Sequence, residues 1–183
     1  MLRSVPAIRL PQPGYVTTYP NREKSESKAT RVIVSVILII SAILMVAVTI
    51  GGWSKLQGLT WMNFTWAAVY VVIAYFVTAR WARGLLPIAG SLAIILLIIS
   101  LIAGLGGAGT SWFDRNATGY AAAQSLFGGT GLSATMLGLL TLLIAPVQVL
   151  LIIFCTRGMA QRWNVELERP AHEVAGDAQP TWA

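Results

Sequence analysis

Residues 32–52, VIVSVILIISAILMVAVTIGG, form an apolar stretch that contains no charged side chain. At a rise of about 1.5 Å per residue, a helix over this range is about 30 Å long, which matches the hydrocarbon core of a bilayer. Its most polar side chains are Ser35, Ser41 and Thr49, whose hydroxyls can donate to carbonyls of their own helix. The stretch therefore predicts a membrane-spanning helix.

Three further apolar stretches have the same character: residues 59–79, 85–107 and 134–156. Pro87 falls in the first turn of the third stretch, where its missing N–H removes no helical hydrogen bond. Only a few residues separate the second stretch from the third, so these two helices should be antiparallel neighbours. The sequence predicts an all-α membrane protein, a four-transmembrane-helix antiparallel bundle over residues 32–168.

The composition agrees with a chain that lies mostly in lipid. Hydrophobic residues make up 56% of the sequence and charged residues 11%, whereas soluble domains carry about 25% charged residues. A charged side chain at mid-bilayer costs roughly 2.5–3.5 kcal/mol on insertion scales, which explains the deficit. The four stretches leave no room for a separate soluble domain with its own core.

The two ends of the chain are polar and lack a periodic apolar pattern. Residues 1–31 contain several prolines and are predicted to form a disordered, basic cytoplasmic tail. Beyond Arg157 the helical pattern continues to about Glu168 and should stop before Pro170. Residues 169–183 are predicted to be a second disordered tail.

The longest connection, residues 108–133, contains a second kind of helical pattern. Ser111 and Asp114 have the spacing of a capping box, and Gly128 with Gly129 would end a helix. Residues that would share one helix face follow at intervals of three and four: Phe113, Ala117, Tyr120, Gln124 and Phe127. The pattern predicts a short amphipathic helix that lies on the bilayer surface or caps the bundle.

Lysine and arginine are distributed unevenly between the two sides of the predicted bundle. Of the 13 Lys and Arg residues, only Lys55 and Arg115 fall in the first and third connections. The others lie in the two tails and in the second connection. Because cytoplasmic loops carry the excess of positive charge, both termini are predicted to lie in the cytoplasm. The expected location is the cell inner (plasma) membrane.

Four basic residues just before the first stretch are candidates for contact with lipid headgroups: Arg22, Lys24, Lys28 and Arg31. Each basic residue near an anionic surface contributes roughly 1 kcal/mol. Interleaved acidic residues weaken that attraction, and the alternative interpretation is a signal that sets the orientation of the chain. We favour the orientation signal.

Pro146 and Gln148 are the strongest polar irregularity near the middle of a predicted span. The proline frees the carbonyl of Leu142, and the glutamine could bond to another helix or line a substrate or quinone pocket. The alternative is a helix kink with one interhelical hydrogen bond. We favour this structural interpretation because Gln148 has no charged partner in the spans.

The sequence does not predict an enzyme. Asp114 and Arg115 could form an outer cluster with Ser111 and Tyr120, but an acid that caps a helix beside a solvated arginine is the commoner arrangement. The only histidine, His172, lies in the C-terminal tail. No nucleophile–base pair, metal-ligand set or phosphate loop is present. We therefore expect no cofactor, no catalytic or metal site and no nucleic acid partner.

Residues 138–166, with the earlier run Trp112-Phe113-Asp114-Arg115, carry a resemblance to a known group. The chain resembles small, uncharacterised four-span integral membrane proteins of actinobacteria, which have a similar fourth span that ends in a basic segment. The resemblance implies a bacterial inner membrane and four spans. It assigns no functional residue. Small accessory subunits of actinobacterial respiratory complexes are similar in size and apolar character.

These observations favour a non-catalytic role. The predicted function is that of an accessory or structural subunit of a larger plasma-membrane complex, for example a respiratory one. Its partners would be membrane lipids and other membrane protein subunits. The alternative is a small transporter or channel for an uncharged or apolar solute, since the spans lack the ionisable residues that ion and proton paths use.

Overall fold

The computed structural model describes residues 14–56, 59–105, 129, 131–172 and 174. The predicted amphipathic helix over residues 111–127 lies outside these residues. In chain order the described elements are β1 (Tyr15–Thr18), α1 (Pro20–Glu23), α2 (Ser25–Gly51), α3 (Trp53–Leu56), α4 (Leu59–Arg80), α5 (Leu85–Gly104), α6 (Ala134–Ala160) and β2 (Leu167–Pro170).

Four of the described helices are long and apolar enough to cross a membrane, by their length and composition: α2, α4, α5 and α6. These are the four stretches that the sequence predicts to be helical. Their outward faces carry exposed aliphatic side chains, such as Ile43 at 61% and Ile102 at 66% of full exposure. Soluble monomers rarely expose apolar surfaces of this extent. The four helices are therefore compatible with a multi-pass membrane protein.

The first and last long helices have bounds that differ from the predicted ones. Helix α2 begins at Ser25 rather than at residue 32, because its polar first turns pack against the end of α6, where Gln161 donates to Thr30. Helix α6 continues past residue 156 but ends at Ala160. The predicted continuation to Glu168 is wrong, because the chain reverses at Arg162, whose φ is +49°.

The tails also differ from the prediction of disorder. Strand β1 pairs with β2 in an antiparallel two-stranded sheet, with Thr18 opposite Leu167 and Tyr15 opposite Pro170. Residues 15–31 and 169–170 are therefore structured, which corrects the predicted tails at those positions. The pairing joins segments about 150 residues apart in sequence, and the ends of α2 and α6 bring them together.

The long helices do not contact one another equally. Helix α2 packs against both α4 and α6, and α5 packs against α6, whereas α4 and α5 contact each other much less. The largest fully buried side chains of the long helices are Leu38, Tyr70, Leu86, Leu137, Gln148 and Leu151, and Trp163 is buried beyond the end of α6. We call the end of the bundle that carries β1 and β2 the tail end, and the other the remote end.

The contact between α5 and α6 is close at Gly104. A Cβ atom placed there would lie 3.0 Å from the backbone nitrogen of Leu142 and 3.1 Å from the carbonyl oxygen of Gly138. Backbone atoms cannot move aside as a side chain can. Glycine at this position therefore allows the two helices to approach, as small residues do in membrane helix pairs.

We expect Gly104→Ala to lower the free energy of unfolding by about 1–3 kcal/mol, because the added methyl group forces α5 and α6 apart. The matched control is Gly90→Ala on the same helix, where the new Cβ would lie 3.8 Å from Cys155 Cβ, an ordinary contact. Thermal unfolding in detergent measures both variants. Equal midpoints for the two variants would contradict the close approach.

Candidate functional site

Gln148 of α6 is the centre of a buried polar network. Its side chain has no exposed surface, and neither have Tyr70 of α4 and Ser41 of α2. The Tyr70 hydroxyl donates to Gln148 Oε1 at 2.9 Å, and Gln148 Nε2 donates to Ser41 Oγ at 3.0 Å. One amide thus joins three helices, and we call these three residues the Gln148 network.

The donors and acceptors of the Gln148 network follow one direction. The Tyr70 hydroxyl donates a hydrogen bond to the amide oxygen, and the amide nitrogen donates one to Ser41. The Ser41 hydroxyl in turn donates to the carbonyl oxygen of Ile37 at 2.8 Å. Each hydroxyl proton therefore has an acceptor within the protein. A site that binds a polar substrate would instead contain polar groups without a hydrogen-bond partner in the protein.

Local sequence positions each member of the network. Tyr70 has alanines three residues before and four residues after it on its helix face, Ala67 and Ala74, and all three are buried. Short side chains on that face let α2 approach the tyrosine ring. The predicted bonds of Ser41 and Thr49 to their own helix are confirmed at 2.8 Å and 2.6 Å.

Pro146 and Gln148 lie on the same turn of α6 but on different faces. Helix α6 runs from Ala134 to Ala160 with Pro146 inside it. The proline is exposed, whereas Gln148 is buried. The structure thus brings Gln148 to other helices and leaves the proline on the outer surface. Tyr70 is not among the residues predicted from the sequence, although a tyrosine in mid-span needs a partner for its hydroxyl.

A second polar cluster lies at the tail end, around Trp163. The indole has no exposed surface, and its Nε1 donates to Gln161 Oε1 at 2.9 Å. Its ring meets the Trp81 ring edge-on, with 5.5 Å between the centroids. Trp81 has a φ of +53°, so the connection between α4 and α5 turns sharply beneath this contact.

Two of the four basic residues considered for lipid contact are held by the protein. Arg22 Nε donates to the carbonyl oxygen of Trp163 at 3.0 Å. Arg31 donates to the carbonyl oxygen of Thr78 at 3.1 Å, and its guanidinium lies 4.0 Å from the centre of the Trp81 ring. Lys24 and Lys28 are exposed.

Arg83 links the connection between α4 and α5 to the end of α6. Its Nε and Nη2 both donate to the carbonyl oxygen of Met159, and Nη1 donates to Asn164 Oδ1 at 2.6 Å. A helix ends in carbonyl groups without helical partners, and its dipole favours a cation there. Arg83 therefore caps α6.

The charged groups near the tail end do not form one site within the described residues. Arg157 and Glu26 form an exposed ion pair at 4.0 Å, an arrangement that contributes little. Glu166 accepts a hydrogen bond from the Tyr19 hydroxyl at 3.1 Å, and Arg80 is exposed. In the described part of the chain, no group of three or more His, Cys, Asp or Glu side chains could hold a metal ion.

The four residues of the predicted outer cluster lie outside the described residues: Ser111, Asp114, Arg115 and Tyr120. The structure therefore does not test whether these residues form a cluster. The contacts described above come from α2, α4, α6 and the tail end.

We expect Gln148→Met to lower the free energy of unfolding by about 1–2 kcal/mol, because the Tyr70 hydroxyl would lose its buried acceptor. The matched control is Val149→Met, the next residue of α6, which is 42% exposed. Reversible unfolding in mixed micelles, followed by tryptophan fluorescence, measures both variants. A Gln148→Met protein as stable as Val149→Met would contradict the role of the network.

Arg83→Gln tests the cap at the tail end. We expect a loss of about 1.5–3 kcal/mol, the usual range for hydrogen bonds to a charged group. Arg80→Gln is the control, because it removes the same charge from the exposed end of α4. The readout is the unfolding midpoint at low and high salt. Equal losses in the two variants would show that charge alone matters.

Comparisons with known proteins do not assign this site. No family model matches the chain, and neither does a curated protein or a solved structure. The resemblance to actinobacterial four-span proteins stays a prediction.

Proposed function

We propose that this chain is a non-catalytic integral membrane protein that serves as an accessory or structural subunit of a larger plasma-membrane complex, for example a respiratory one. In this proposal the four long helices cross the bilayer as an antiparallel bundle. Both termini lie in the cytoplasm, with the tail end toward that side.

The Gln148 network is the observation that carries this proposal. It is the polar layer in the middle of the bundle, and its hydroxyl protons are all donated within the protein. Such a layer stabilises the packing of three helices. It contains none of the Asp, Glu, His, Lys or Arg side chains on which ion and proton paths in membranes usually depend, because its members are a glutamine, a tyrosine and a serine.

The distribution of charge supports the proposed orientation. The tail end contains Arg22, Arg31 and Arg83, each bonded to a backbone carbonyl oxygen. At the remote end Lys55 donates to the carbonyl oxygen of Leu132 at 2.7 Å. An excess of arginine on one side is typical of the cytoplasmic side of an inner-membrane protein.

The outward helix faces support a role among lipids and neighbouring subunits. They carry exposed aliphatic and aromatic side chains over the length of each long helix, including Ile40, Ile43, Val72, Tyr75, Ile98, Ile102, Leu139 and Ile153. Helix pairs in lipid associate through shape and small contacts rather than through a hydrophobic driving force. Faces of this kind can contact either acyl chains or a partner's helix.

A cavity near the remote end favours a second candidate, a small transporter or channel for an uncharged or apolar solute. The cavity has a volume of about 90 Å³, and its lining reaches Met45 of α2 and Ile144 of α6. These residues lie one helical turn from Ser41 and Gln148. In this second candidate, opening of the Gln148 network would let a solute pass farther along the bundle.

Purification in a mild detergent, with mass spectrometry of the bound proteins, tests the main proposal. We expect a stoichiometric set of membrane proteins to remain with the tagged chain. The control is the same tag on an unrelated four-span protein. A chain that purifies alone and moves a labelled uncharged solute into liposomes would contradict the accessory role and support transport.

A further inference from the structure

The cavity near the remote end lies where four helices fail to close around one another. Its walls come from α2, α4, α5 and α6, with Leu56 of α3 at one edge. The gap follows from the packing, because α4 packs on α2 and α5 packs on α6, while α4 and α5 contact each other little. Small side chains of α5, Ser100 and Ala103, leave the space unfilled.

Thr141 of α6 gives this cavity an unused polar group. It lines the cavity and is only 7% exposed, yet its Oγ1 has no hydrogen-bond partner in the protein. Several other hydroxyls of the described long helices behave differently. They donate to carbonyls of their own helix: Ser35, Ser41, Thr49, Thr65, Ser100 and Thr156. A buried hydroxyl without a partner indicates a ligand that supplies one.

The most exposed residues that line the cavity belong to α4 and α5, so we infer that its mouth opens sideways between these two helices. Among its lining residues, Met62 of α4 is 48% exposed and Ile99 of α5 is 42% exposed. Trp61, the neighbour of Met62, is 75% exposed and suits the membrane–water interface. A molecule that enters by this mouth therefore comes from the bilayer, near the level of its interface.

The size of the cavity restricts the ligand. Pockets for whole small molecules have volumes of about 300–1,000 Å³, so a cavity of about 90 Å³ holds only part of one. Apart from Thr141, Ser100 and Asn63, the lining consists of apolar side chains. An apolar chain with a hydrogen-bond acceptor close to one end fits these features, and its remainder can stay in the lipid outside.

We infer that this cavity binds one acyl chain of a bilayer phospholipid, with the ester carbonyl oxygen accepting a hydrogen bond from Thr141 Oγ1. Thr141 is the eighth residue of α6, which places it about 10 Å from the start of that helix. Measured from Gln148, seven residues farther along α6 in the middle of the bundle, Thr141 lies about 10 Å toward the remote side, and the ester groups of that leaflet lie about 15 Å from the centre of the hydrocarbon core. The inference rests on the proposed insertion of the four helices in a membrane.

Photolabelling tests the inference on the full chain in liposomes of phosphatidylcholine. The probe is a phosphatidylcholine with a diazirine on the first methylenes of one acyl chain, and mass spectrometry locates the labelled residues. We expect labelling to concentrate on Met62, Ile99 and Ala103. Excess diacyl phosphatidylcholine should compete about fivefold better than its dialkyl ether analogue, which lacks the carbonyl acceptor.

Three variants separate the hydrogen bond from the shape of the cavity. Thr141→Val should reduce cavity labelling about fivefold and abolish the preference for the ester, whereas Thr141→Ser should retain both. Thr156→Val is the matched control on the same helix, because its hydroxyl bonds to the carbonyl oxygen of Ile152. Ala103→Leu should abolish cavity labelling by filling the space. Each variant is checked for an unchanged unfolding midpoint.

The outcomes distinguish this inference from the proposed function. Labelling spread evenly over exposed positions such as Ile43 and Val72, with no excess in the cavity, would overturn the inference and leave the membrane protein intact. Equal competition by ester and ether lipids would overturn the assigned hydrogen bond. Absence of labelling anywhere on the long helices would overturn membrane insertion itself.

Discussion

One buried amide determines how three of the long helices face one another. Gln148 has no exposed surface, and its two polar atoms meet hydroxyls on two other helices, those of Tyr70 and Ser41. Apolar faces pack with little preference for one rotation over another, whereas these hydrogen bonds fix which atoms must meet. In lipid, where water cannot replace a missing partner, the arrangement of α2, α4 and α6 depends on this amide.

The two ends of the bundle differ because their polar groups are used differently. At the tail end, arginines bond to backbone carbonyls, Trp163 is enclosed, and the paired strands β1 and β2 join the two ends of the chain. At the remote end, α4 and α5 stand apart and leave Thr141 without a partner. A closed tail end and a cleft at the remote end agree with the proposed accessory role.

The sequence predicts the four long helices well, because uncharged apolar runs of this length are typical of membrane-spanning helices. It also singles out Gln148, because a glutamine among aliphatic residues needs a partner. It does not identify that partner: Tyr70 and Ser41 are 78 and 107 residues away, and no local pattern encodes such a distance. The same limit explains the tails, where a strand at Tyr15–Thr18 forms only because β2 lies beside it.

The central claim is that the long helices cross the bilayer with both tails on the cytoplasmic side. Single cysteines at Ser133 and at Glu168, both exposed, test it most directly in a Cys155→Ala chain. In intact cells a membrane-impermeant maleimide should label the cysteine at position 133. It should reach position 168 only after permeabilisation. Labelling of both positions from outside, or of position 168 alone, would contradict the account.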